Sequence, residues 1–67
     1  MTPTEKKVYN FIEKYKDEYG YVPTHVAIAN EYEKSRQWAT KMIANLKVKG
    51  YLGETGRFGL YEIPGDN

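Results

Sequence analysis

The 67-residue chain has no cysteine and a single histidine, His25. The first absence excludes disulfides and thiolate zinc sites, and the second leaves too few ligands for a transition-metal centre. No apolar run approaches the roughly 20 residues of a membrane span, and no signal-peptide pattern opens the chain. A cytoplasmic protein is the expectation. Also missing are a nucleophile beside a base, a glycine-rich phosphate loop and any metal-ligand spacing. Nothing therefore points to an enzyme, a catalytic residue, a cofactor, a small-molecule substrate or a membrane partner. Acid pairs such as Asp17-Glu18 read as a solvated helix end. A core of this size rarely supplies more than about 3–5 kcal/mol. Without staples it must be held by packing, for which two Phe, seven Tyr and one Trp supply the bulk.

What is present is unevenly charged. Residues 1–33 carry four Lys against six Asp/Glu, whereas residues 34–67 carry six Lys/Arg against three Asp/Glu, within a net charge of +1. The asymmetry is sharpest from Lys34 to Gly53, where five Lys/Arg stand without a single acid. A local basic surface, rather than a basic protein, is what needs explaining.

The chain reads as one domain over residues 1–67. Thr2-Pro3-Thr4-Glu5 is a helix start, with Thr2 as N-cap, Pro3 in the first helical position and Glu5 completing a capping box. Val8, Phe11, Ile12, Tyr15 and Tyr19 follow on one helical face, and Gly20 suits the position just past the end, so helix 1 is predicted over about 3–19. Pro23 forces an extended approach and Thr24 caps helix 2, about 25–32. Glu33-Lys34-Ser35 leaves room only for a tight turn. Ser35 then caps helix 3, about 36–49, which Gly50 closes. Beyond it, Tyr51-Leu52-Gly53-Glu54 and Phe58-Gly59-Leu60-Tyr61-Glu62-Ile63 read as two strands around Thr55-Gly56-Arg57. The expected fold is α+β: three helices followed by a two-stranded hairpin wing over about 51–63, a winged helix-turn-helix.

At about 100° per residue, Ala39, Met42, Ile43 and Leu46 of helix 3 share a core stripe. Gln37, Lys41, Ala44 and Val48 take the opposite side, flanked by Thr40 and Asn45. That outward face is small, hydrogen-bonding and free of acids, which suits a major groove. Lys34 and Arg36 sit at the positive end of the helix dipole, where each cation is unfavourable by about 0.3–1 kcal/mol unless a phosphate binds there. Lys47 and Lys49 suit the negative end and need no such explanation. Trp38 has two readings, a half-buried ring packed on helix 2 or the wing, and a ring facing thymine methyls or the sugar-phosphate backbone. Arg57, at the predicted hairpin tip, is a candidate phosphate or minor-groove contact. His25, at the start of helix 2, reads first as a plain surface residue.

Two helices joined by a short turn form a helix-turn-helix. The sequence resembles the N-terminal DNA-binding domain of the bacterial LexA repressor family over nearly its whole length. The resemblance rests on Thr2-Pro3-Thr4-Glu5-Lys6-Lys7-Val8-Tyr9, Phe11-Ile12, Gly20-Tyr21-Val22-Pro23-Thr24, Ile28-Ala29, Ser35, Leu46, Lys49-Gly50 and Gly59-Leu60. It implies that the start of helix 3 reads bases and that the wing touches the backbone. The base-reading positions then fall on Ser35, Gln37, Trp38, Thr40 and Lys41. The chain departs from the family in a shorter turn, with Glu33 where a Gly-aromatic pair is usual, and in Trp38 and Lys41, where the family has a small residue and an acid. The family's operator sequence is therefore not implied. Nor do the 67 residues contain its peptidase segment or a Ser/Lys pair.

The function expected from these features is sequence-specific binding of double-stranded DNA by a small bacterial or phage transcriptional regulator. Lys34, Arg36, Lys41 and Arg57 would hold phosphates, with Ser35, Gln37, Trp38 and Thr40 at base edges. A homodimer or a larger nucleoprotein complex would supply the affinity that one small domain lacks. The alternatives are a winged-helix module that binds another protein, favoured by the modest net charge and many tyrosines, and an architectural DNA binder in recombination.

Overall fold

The computed structural model describes residues 1–55 and 61–64, and within them the chain forms three helices. Helix α1 spans Pro3–Tyr19, as expected from its signals. The Thr2 hydroxyl accepts from Glu5 N–H at 3.1 Å, and Glu5 Oε1 accepts from Thr2 N–H at 2.9 Å, closing the capping box. At the far end Gly20 adopts φ +83° and donates its N–H to Lys16 C=O at 2.7 Å. A side chain would strain that left-handed turn, so glycine is the natural residue there.

Helix α2 spans His25–Glu31 and α3 spans Arg36–Val48, each ending one residue before its predicted limit. Thr24 caps α2 by accepting from Ala27 N–H at 3.1 Å, and Ser35 caps α3 by accepting from Trp38 N–H at 3.1 Å. The turn between them is made by Glu33, whose φ of +54° is left-handed and which is the only non-glycine residue so placed among those described. It redirects the chain within four residues, and Lys34 N–H returns to Ala29 C=O at 2.8 Å. Left-handed backbone favours glycine, and the glutamate here occupies it at a cost of about 1–2 kcal/mol.

The core is built from one stripe of each helix. Val8 and Ile12 of α1 meet Ile28 and Ala29 of α2 and Ala39, Ile43 and Leu46 of α3, all buried. α3 packs against both other helices, most closely against α2. Glu5 is buried as well and accepts from Lys49 Nζ at 2.6 Å. That bond, helped by the Thr2 N–H, holds the Glu5 carboxyl below its ordinary range against the smaller opposing push of burial. The start of α1 is thus tied to the end of α3 by a charged hydrogen bond.

Among the described residues the predicted wing over 51–63 does not form: they make a small helical domain without a strand. A single antiparallel bridge, Gly53 N–H to Glu62 C=O at 2.9 Å and Glu62 N–H to Gly53 C=O at 2.8 Å, joins the two segments. The physical reason lies in where the neighbours of that bridge go. Tyr51 and Leu52 N–H groups both turn back to Leu46 C=O, at 2.9 and 3.3 Å, as the chain leaves α3 through Gly50. Leu52 and Tyr61 are drawn into the helical core. The Tyr61 hydroxyl donates to Pro23 C=O, and burial pushes its pKa far above the usual tyrosine range. Anchoring to the helices therefore wins over a ladder, which glycine at the bridge supports poorly because it offers no side chain for a cross-strand pair. The predicted hairpin tip, Arg57 included, lies outside the described residues. No helix among the described residues is long and apolar enough to cross a membrane.

Candidate nucleic-acid interface

The Ser35 cap fixes how α3 presents its first turn. Its hydroxyl takes the Trp38 N–H, leaving the Arg36 and Gln37 N–H groups without an intrahelical acceptor. Lys34 and Arg36 are exposed beside them. Further along, the structure brings Ser35, Arg36, Gln37, Thr40 and Lys41 together around one shallow, open depression. Ala44 completes its lining, a position the sequence places on the outward side but whose methyl group carries no polar signal to mark it as a contact. Met42 is half-buried beside the fully buried core stripe, as the periodicity requires.

Three of the side chains expected at base edges have partners inside the protein. The Ser35 hydroxyl is the helix cap. Trp38 is half-buried, with its ring centroid 5.8 Å from that of Tyr32 at a tilt of 53°, and Lys34 Nζ lies 6.0 Å from the centre of the Trp38 ring. The ring therefore packs on the end of α2. Thr40 Oγ1 shares a hydrogen bond of 2.8 Å with His25 Nδ1, linking the first turn of α2 to the outward side of α3. That bond was not legible in the sequence, because it joins residues fifteen positions apart. Gln37 and Lys41, in contrast, are exposed and have no hydrogen bond or ion pair among the described residues.

Electrostatically the face is one-sided. No acid occurs between Lys34 and Gly53, and Lys49, at the far end, is committed to Glu5. Lys47 points to the exposed Glu54 at 3.9 Å, a surface pair of little energetic weight. The cations open to a ligand thus gather at the N-terminal half of α3, in Lys34, Arg36 and Lys41. Val48, 88% exposed, extends the same side as an apolar end. Among the described residues there is no group of His, Cys, Asp and Glu that could hold a metal ion.

A second surface runs along the flank of α1 and α2. Tyr15 lies 4.5 Å from Tyr19 and 5.8 Å from Tyr21 between ring centroids, and Phe11 lies 5.8 Å from Tyr15 and 5.9 Å from Tyr32. The aromatic row thus continues through Tyr32 to Trp38. A depression beside it is lined by Phe11, Tyr15, Tyr19, Ala27 and Asn30, with Lys14, Glu18 and Glu31 at its rim.

No protein-family model matches the chain, and no curated protein matches it.

Proposed function

We propose that this chain is a sequence-specific double-stranded-DNA-binding protein, a small bacterial or phage regulator that lays α3 in the major groove. The observation that carries the proposal is the outward face of α3. It is exposed, small and hydrogen-bonding, it has no acid, and it sets Lys34 and Arg36 at the helix end where cations need an anion to be favourable. The sequence likeness to the LexA DNA-binding domain supports the same reading. The short turn between α2 and α3 is consistent with the helix-turn-helix mode, in which the second helix addresses base edges.

Lys34 and Arg36 would approach phosphates, whereas Gln37 and Lys41 would meet bases. With about four cationic charges brought to the DNA, those of Lys34, Arg36, Lys41 and Arg57, log K falls against log salt with a slope of about −3.6. Raising salt from about 50 to about 200 mM then weakens binding about 150-fold. Trp38, the only tryptophan, lies within the first turn of α3 and reports directly. Mixed-sequence duplex titrated into the protein should change Trp38 emission reversibly with salt. Lys41→Glu should reduce affinity at least about tenfold while leaving the melting temperature within a few degrees, since Lys41 is exposed. Unchanged binding by this variant would remove α3 as the reading element.

One observation favours a second reading, a protein-recognition module. Tyr19 and Tyr21 are 53% and 60% exposed beside the depression on the α1–α2 flank. Tyrosine is enriched at protein interfaces for its large ring and polar tip. This reading predicts no salt-sensitive response to duplex, and a partner footprint on Tyr19 and Tyr21 rather than on α3. An architectural binder would instead keep the salt dependence yet show no preference among sequences.

A further inference from the structure

Internal bonding sorts the outward side chains of α3 into those already engaged and those open to a base. Ser35 holds the Trp38 N–H, Trp38 packs on Tyr32, and Thr40 is tied to His25. Gln37 and Lys41 are exposed without such partners among the described residues, and Ala44 is exposed in the same depression. These three stand at i, i+4 and i+7. On a helix that turns about 100° per residue they fall within an arc of about 60°, and they rise about 10.5 Å along the axis. They form one row, parallel to the helix, with a polar donor–acceptor, a cation and a methyl group in sequence.

In zinc fingers, a helix laid in the major groove contacts successive bases through reading positions about three residues apart, a spacing close to that of this row. Each member of the row has a preferred edge. The Gln37 amide can donate to adenine N7 while accepting from adenine N6–H. The Lys41 ammonium can donate to guanine O6 and N7. The Ala44 methyl can pack on the thymine C5-methyl group. We infer that Gln37, Lys41 and Ala44 read three consecutive base pairs, an adenine, a guanine and a thymine in that order along α3. The preferred site then holds an A·T, a G·C and an A·T pair side by side, each base lying on whichever strand faces its side chain. This inference rests on the DNA-binding reading and deepens it. It assigns specificity to a row that includes Ala44 and removes Ser35, Trp38 and Thr40 from direct base contact.

The test is selection of the intact chain on a randomised duplex library, followed by binding to single-site duplexes with altered bases. The enriched site should hold the A·T, G·C, A·T triplet. Replacing the contacted thymine by deoxyuridine removes one methyl group and should weaken the wild-type protein about threefold to fourfold. It should not weaken Ala44→Gly further. Because glycine also loosens a helix, Gln37→Ala serves as an independent variant. It keeps the helix and should lose about tenfold in preference for the adenine pair alone. Salt-sensitive binding with a different triplet, or with no response to deoxyuridine and to Gln37→Ala, overturns this inference and leaves the DNA-binding reading standing. Absence of salt-sensitive binding to any duplex overturns both.

Discussion

The outward face of α3 and the aromatic flank of α1 and α2 are both exposed, yet they are built in opposite ways. On the flank, the exposed rings are satisfied by one another. Tyr19 and Tyr21 approach at 6.3 Å and both lean on Tyr15. On α3, the residues along the middle of the face have no partner among the described residues, and their neighbours Ser35, Trp38 and Thr40 are held in place by bonds and packing. Exposure alone therefore does not distinguish a ligand surface from a structural one. The useful distinction is whether a side chain's polar and apolar groups already have partners within the fold. By that measure the flank mainly stabilises, and the α3 row is what remains available.

This contrast can be broken from several directions. The largest effect should come from the core that supports both surfaces. Leu46→Ala removes a fully buried side chain and should cost about 2–5 kcal/mol, comparable to the whole stability of a domain this small. Circular dichroism should then show a largely unfolded chain, and both surfaces would be lost together. A native-like melt would mean that the core is held by something other than the three helical stripes.

Tyr15→Ala should be milder and should separate the surfaces. It deletes contacts with Phe11, Tyr19 and Tyr21, each aromatic pair being worth about 0.5–1.5 kcal/mol. With about 1.5–4.5 kcal/mol lost, the melting temperature should fall by about 6–36 °C, while the salt slope of duplex binding at low temperature stays unchanged. A changed slope would show that the flank takes part in DNA contact.

Glu33→Gly should act in the other direction. Relief of left-handed strain, about 1–2 kcal/mol, exceeds the entropic cost of glycine, about 0.5–1 kcal/mol. The net gain of about 0.5–1 kcal/mol should appear as a higher denaturant midpoint, with the α2–α3 geometry and duplex affinity retained. A loss of stability would mean that the Glu33 side chain contributes more than its backbone costs.

The smallest effect concerns acid. Bonded to Lys49 and Thr2, Glu5 ionises below its ordinary value of 4.5 in the folded state. Its contribution is thus complete above about pH 4.5 and is lost as pH falls through the lower folded value. The acid limb of a melting-temperature profile should be flatter in Glu5→Gln, which cannot titrate but can still cap α1. Coincident limbs would place the acid sensitivity in other carboxylates.

Most of the helical framework was legible because its signals are local. Thr2 with Glu5, Pro3, Gly20, Thr24, Ser35 and Gly50 mark ends through hydrogen bonds that span a few residues. The burial of Val8, Ile12, Ala39, Ile43 and Leu46 follows from a period of 3.6. The outward face of α3 was legible for the same reason. The wing was not. Tyr51-Leu52-Gly53 and the run around Tyr61 carry strand-like alternation, but alternation says only that some residues will be buried. It does not say whether against a partner strand or against helices.

What the sequence determined alone is therefore the three helices, their caps, and a basic, acid-free outward face on the last of them, because each depends on neighbours within a turn or two. What only the tertiary structure decided depends on residues far apart in the chain. Leu52 and Tyr61 belong to the helical core instead of a hairpin. Glu5 holds Lys49 across 44 positions. His25 engages Thr40, and Trp38 lies on Tyr32. Such partnerships follow from which surfaces the packed helices bring together, and no local periodicity encodes them. They also leave Gln37, Lys41 and Ala44 as the open row on α3.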